Sequence, residues 1–130
     1  MARLSLRNVT KRYASVLAVD RLSFDVTPGR IFGLLGPNGA GKTSTIRMIA
    51  YITAPDTGVI ELDGEVVNPR TQERMGYLPE ERGLYRRMKV GEQLVYLSML
   101  KGMTRAAARS SVESWLERFD ARSWLSKRTD

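Results

Sequence analysis

The stretch Gly33–Ala50, GLLGPNGAGKTSTIRMIA, runs from an apolar segment through a glycine-rich turn into Lys42, Thr43 and the helical spacing of Ile46, Ile49 and Ala50. Gly36-Pro37-Asn38-Gly39-Ala40-Gly41-Lys42-Thr43 matches the pattern G-x-x-x-x-G-K-[ST], the phosphate-binding loop known as Walker A. Each part of the pattern has a physical task. Glycines let the backbone curl until successive N–H groups point inward at an anion. The start of the following helix adds partial positive charge at the same place. Lys42 is placed to reach β- and γ-phosphates, the Thr43 hydroxyl to coordinate Mg²⁺, and Ser44 to bond an α-phosphate. A loop that only turned the chain would not require Lys followed by Thr at the helix start.

Before this stretch, RLSLRNVT alternates apolar Leu4, Leu6 and Val9 with polar residues, as a half-buried strand does. LAVDRLSFDVTPG alternates again through Leu22, Phe24 and Val26 and stops at Pro28-Gly29, giving a second strand and a turn. RIFGLLG is apolar almost throughout, the pattern of a strand buried on both faces of a sheet.

After the stretch, the helix is expected from about Gly41 to Tyr51, PDTG is a turn, and VIELDGEVV gives one or two short strands about Asp63-Gly64. RMGYLP reads as another short strand ended by Pro79, and EERGLYRRMK as a charged loop. VGEQLVYLSMLKG is a helix ending near Gly102. Thr104 caps a second helix, RAAARSSVESWLERF, whose Ala108, Val112, Trp115, Leu116 and Phe119 share one face. A short helical turn follows.

Composition removes several classes. No apolar run approaches the roughly 18 residues of a membrane-spanning helix, and the start, MARLSLRNVT, lacks the apolar core of a secretion signal. With 0 Cys there are no disulfides or thiolate metal sites, and with 0 His no imidazole ligand or general base. A net charge of +7 points to anionic partners: nucleotide, nucleic acid or acidic lipid, or else to a solvated basic surface.

The residues around the loop narrow the class. LRNVTKRYASVLAVDRLSFDVTPGRIFGLLGPNGAGKT closely resembles the N-terminal part of the ATP-binding subunits of ABC transporters. TAPDTGVIELDG resembles the segment after the family's P-loop helix, and RMGYLPEERGLYRRMKVGEQLVYLSMLKGM resembles its Q-loop and the start of its helical subdomain. The form LPEERGLY is similar to a branch associated with ABC-2-type exporters. The resemblance implies an α/β fold: an incomplete P-loop NTPase core with an N-terminal antiparallel β-subdomain over about residues 1–80 and the start of a helical subdomain over about 81–130. It implies ATP and Mg²⁺ as ligands. It places Tyr13 against adenine with Val19 flanking the base, and it lends Lys42 a catalytic role.

The chain departs from the family pattern where the usual Gln is Glu80. In the family that Gln helps arrange Mg²⁺ and the attacking water, so Glu80 is a candidate for both metal and catalysis. Its alternative is a solvated carboxylate like Glu81. The resemblance also implies partners. Membrane-spanning permease subunits would meet the loop Arg82–Lys89, where Leu84, Tyr85 and Met88 interleave with Arg86 and Arg87. A second ATPase subunit would sandwich the nucleotides. The protein would then lie in the cytoplasm, on the inner face of the cell membrane through those subunits. No nucleic-acid-reading motif accompanies the basic loop.

The resemblance covers essentially the whole chain but only about the first half of the family's domain. The serine-glycine-glycine signature, the apolar strand ending in Asp-Glu and the switch histidine do not occur in this sequence. The chain therefore reads as a truncated product or a piece of a longer one, expected to bind ATP without efficient hydrolysis. The strand IFGLLG is expected to lack its parallel neighbours and to promote self-association. Two rival classes are a P-loop small-molecule kinase, with Arg82, Arg86 and Arg87 imitating a lid, and a non-catalytic basic interaction module.

Overall fold

Alternating apolar residues build the first strand pair. In the computed structural model, which describes residues 3–80, 85 and 87–128, β1 (Leu4–Tyr13) and β2 (Val16–Val26) form an antiparallel hairpin. β3 (Thr57–Leu62) lies on the other side of β1, and β4 (Glu65–Val66) closes a four-stranded sheet of order β2-β1-β3-β4. The Asp63-Gly64 turn between β3 and β4 has φ of 57° and 81°, the mirror-image turn that suits the twist of a two-residue hairpin.

The alternation along β1 slips from Leu6 to Val9, and both side chains are fully buried. A register shift lies between them, where Asn8 takes φ 49° and its N–H bonds the Ser23 hydroxyl at 2.8 Å. That bulge lets both residues face the core. Gly58 sits against it. A Cβ there would stand 2.4 Å from the Asn8 carbonyl oxygen, so no other residue fits.

The core of this first unit (Met1–Tyr77) joins Leu6, Val9, Val19, Ile60 and Val67 of the sheet side to Met48 of α1 (Lys42–Ile49). A further element is α2 (Pro69–Glu73). Asn68 caps it by accepting from the N–H groups of Arg70 and Thr71, and the Thr71 hydroxyl accepts from the N–H of Asn68.

Two expected strands are absent. Residues 31–36 pair with no strand among the described residues, and Ile31 and Leu35 are exposed. An apolar run becomes a buried strand only with a ladder partner on each side and a layer on each face. The described residues supply neither; Phe32 instead stacks on Phe24, with ring centroids 5.0 Å apart. Residues 74–79 likewise form no strand, for the same lack of a partner.

The second unit (Leu78–Asp130) is helical. α3 (Val90–Leu100) and α4 (Arg105–Arg118) pack with a 3₁₀ turn, Arg122–Ser126, around Val112, Leu116 and Ala121. Gly91 allows a close approach, since a Cβ there would meet Leu125 Cδ2 at 2.8 Å. Of the face expected on α4, Ala108, Val112 and Leu116 are buried while Trp115 and Phe119 are exposed. Those two rings stack on each other at 5.8 Å, and Arg118 lies over Trp115.

Candidate phosphate-binding site

The loop between the exposed apolar run and α1 is shaped by its own backbone. The Ala40 N–H donates to the Pro37 carbonyl at 3.2 Å, closing a turn over Asn38 and Gly39. Gly39 has φ 81° and Gly41 φ 83°, left-handed values at which a side chain is strained. Lys42 crosses the loop: its Nζ donates to the carbonyls of Gly36 and Pro37, both at 2.6 Å. The ammonium is thereby held at the mouth of the turn rather than extended into solvent.

Thr45 makes the first backbone bond of α1, donating from N–H to the Gly41 carbonyl at 2.9 Å, and its hydroxyl donates to the same oxygen at 2.9 Å. The N–H groups of Lys42, Thr43 and Ser44 precede that bond and have no helical acceptor. They share one place with the Lys42 charge and the positive end of α1, which suits a polyphosphate. Thr43 is exposed and Ser44 half-buried, so the Thr43 hydroxyl is open to serve as an oxygen ligand for a hard cation.

The loop is fastened to β2 at Gly41. A Cβ on Gly41 would stand 2.1 Å from the Ala18 carbonyl oxygen and 3.1 Å from Val19 Cγ2. Val19 itself is buried within the core, supporting the loop from the sheet. A cavity of about 270 Å³ beside the loop is lined by Val19, Asp20, Leu22, Leu35, Ala40 and Lys42.

Tyr13 closes β1 opposite Val16, with 43% of its surface exposed. The Lys11 ammonium lies 5.5 Å from its ring centroid and is itself bound to Asp56 at 2.9 Å. The hydrogen bond from Lys11 and a second from the Arg12 N–H hold the Asp56 carboxyl below its usual range. This clamp was not foreseen from the sequence. Its only signal there was a lysine two residues before the aromatic ring.

The other candidates lie in the second unit. Glu80 is exposed at its start. Arg82, Leu84 and Arg86 fall outside the described residues. Tyr85 and Arg87 are exposed, and the Tyr85 N–H donates to the buried Gln93 side chain at 2.8 Å. Met88 opens onto a groove of about 690 Å³ lined also by Tyr96, Met99, Arg109, Val112 and Leu125. No described helix is long and apolar enough to cross a membrane.

A family model described as ABC transporter matches residues 19–130. The ABC transporter ATP-binding protein YhaQ of Bacillus subtilis (strain 168) is 46% identical over 127 residues, covering 98% of this chain and 43% of the relative. The Nod factor export ATP-binding protein I of Burkholderia pseudomallei (strain 1710b) is 45% identical over 120 residues, 90% of this chain and 40% of the relative. A solved structure of the ATP-binding subunit of an ABC transporter superposes with a TM-score of 0.79 at 27% identity, covering 96% of this chain and 53% of that one. The chain thus spans less than half the length of these curated relatives. By the family match and by the fold, the chain belongs to the ATP-binding proteins of ABC transporters.

Proposed function

We propose that this chain is the nucleotide-binding part of an ATPase subunit that powers export across a membrane, and that its loop Gly36–Gly41 holds the phosphates of ATP. The observation that carries the reading is the Lys42 ammonium fixed across the loop mouth, at the head of a helix whose first N–H groups have no helical acceptor. In this reading the N–H groups of Gly36, Asn38, Gly39 and Gly41 surround the phosphates, with Pro37 and Ala40 shaping the turn. Lys42 meets the β- and γ-phosphates, and Ser44 meets the α-phosphate. Thr43 offers its hydroxyl to Mg²⁺. Bound Mg²⁺ supplies charge neutralisation at the phosphates. Tyr13 provides a stacking surface for adenine, and Val19 flanks that end of the site.

Export is favoured by the similarity to Nod factor export proteins. Residues 1–130 then correspond to the N-terminal part of an ABC-type ATP-binding domain, with its β-rich portion to about residue 80 and its helical portion after it. In this reading the sequence segment 82–89 meets a membrane-spanning permease subunit; of its described residues, Met88 opens onto the groove beside α3. A second ATPase subunit completes the assembly, which lies on the cytoplasmic face of the membrane. Hydrolysis needs an oriented water and a complete metal clamp as well as phosphate binding. In this reading the 130-residue chain alone binds ATP without efficient turnover, since its sequence holds neither an apolar strand ending in Asp-Glu nor a serine-glycine-glycine signature.

Titration calorimetry of the chain with Mg·ATP tests this. Lys42→Ala is expected to weaken binding by about 10- to 100-fold, the worth of a charge-assisted contact of roughly 1.5–3 kcal/mol. Unchanged affinity would overturn the assignment.

A further inference from the structure

We propose that Lys11 is a positioning residue for the nucleobase: clamped by Asp56, it occupies one face of the Tyr13 ring and holds the other face ready for stacking. The proposal rests on the reading of Tyr13 as the base platform. It goes beyond that reading in assigning the task of orienting the ring.

An exposed tyrosine at a strand end is free to change rotamer, and ordering it on binding weakens the complex. Lys11 and Tyr13 are two apart on β1 and so project to the same side. The Lys11 ammonium stands 5.5 Å from the ring centroid, within cation–π range. Lysine would ordinarily keep its head in water, yet the Lys11 side chain is only 14% exposed.

What holds it is Asp56, the residue before β3. One Asp56 oxygen accepts from Lys11 Nζ at 2.9 Å and the other from the Arg12 N–H at 2.7 Å. The Asp56 N–H in turn donates to the Thr10 carbonyl at 2.9 Å. Asp56 is thus tied to the backbone of β1 on either side of Lys11, by its carboxylate at Arg12 and by its own N–H at Thr10, and the ammonium cannot swing away without breaking an ion pair. The hydrogen bonds from Lys11 and the Arg12 N–H lower the pKa of Asp56 and so favour the carboxylate form that holds the ammonium. An aromatic ring has two faces. With the cation on one, a planar base has the other.

The test measures binding of Mg·ATP and of Mg·tripolyphosphate, which has no base, to the 130-residue chain by calorimetry. Tyr13→Ala is expected to weaken ATP and leave tripolyphosphate unchanged. Lys11→Met should weaken ATP by about two- to tenfold, leave tripolyphosphate unchanged, and add nothing to Tyr13→Ala in the double variant. Lys11→Arg, which keeps a cation that can pair with Asp56 and stack on the ring, should restore ATP affinity.

Three results would overturn the proposal: full ATP affinity in Lys11→Met while Tyr13→Ala is weakened, an equal loss toward tripolyphosphate, or additive losses in the double variant. If Tyr13→Ala itself binds ATP normally, the base platform fails and the role of Lys11 fails with it. Should Lys11→Met not fold, Asp56→Asn, which still accepts the Arg12 N–H, is expected to reproduce its pattern. Wild-type ATP affinity in that variant would count against the proposal.

Discussion

Two glycines of the loop look alike in sequence and differ in what surrounds them. Gly39 and Gly41 have almost the same φ, 81° and 83°. Any L-residue at either position bears the cost of a left-handed backbone, about 1–2 kcal/mol. Around Gly39 nothing lies within 4 Å of an added Cβ, whereas at Gly41 it would overlap the Ala18 carbonyl at 2.1 Å. Gly39→Ala is therefore expected to cost about 1 kcal/mol, and Gly41→Ala at least about twice that, because backbone must move to admit the methyl group. Urea unfolding of the two variants measures the difference; equal losses would mean that β2 yields freely to the loop. The loop pattern was legible at this scale because its curl depends on neighbours in sequence. The reason for the last glycine was not, since Ala18 lies far back along the chain.

Among the elements, α4 was the easiest to read and shows why. Its apolar period is helical, and Thr104 stands where a cap belongs. The Thr104 hydroxyl accepts from the Ala107 N–H at 3.3 Å. Thr104→Ala is expected to destabilise the second unit by about 0.5–2 kcal/mol, with Thr104→Ser close to wild type, as followed by helix-band circular dichroism in urea. Indistinguishable Ala and Ser variants would mean the cap contributes nothing. The short helix α2 was missed although Asn68-Pro69 is a start signal, because five residues are too few for a period to register. RIFGLLG and RMGYLP failed in the opposite direction. A run of apolar residues states that a segment prefers burial, but only a partner strand makes it a strand. Trp115 and Phe119 lie at the margin of the α4 stripe, and spacing alone did not separate them from the buried Val112 and Leu116.

Over the whole molecule, what stayed hidden in the sequence is what distant pairing creates. The Lys11–Asp56 clamp joins residues 45 apart, and it exists because β3 returns antiparallel beside β1. The most consequential feature at this scale is an apolar run left without a place. Ile31 is fully exposed, Leu35 is 91% exposed, and Phe32 is only half covered by Phe24. Residues 31–36 carry no charge and no proline, and their backbone has no ladder partner among the described residues. Such a segment gains by pairing with its own copy in another molecule, burying side chains and satisfying N–H and C=O groups together. Wild-type chain is therefore expected to gain apparent mass with concentration in static light scattering. Ile31→Lys combined with Leu35→Lys should suppress that gain, since like charges on the two exposed positions repel in a parallel or an antiparallel pairing of copies while disturbing nothing buried. Phe32 is kept in that variant so that its stack on Phe24 is not confounded with the exposed residues. A wild-type chain that stays monomeric at high concentration, or a double variant that associates as strongly as wild type, would place the sticky surface elsewhere.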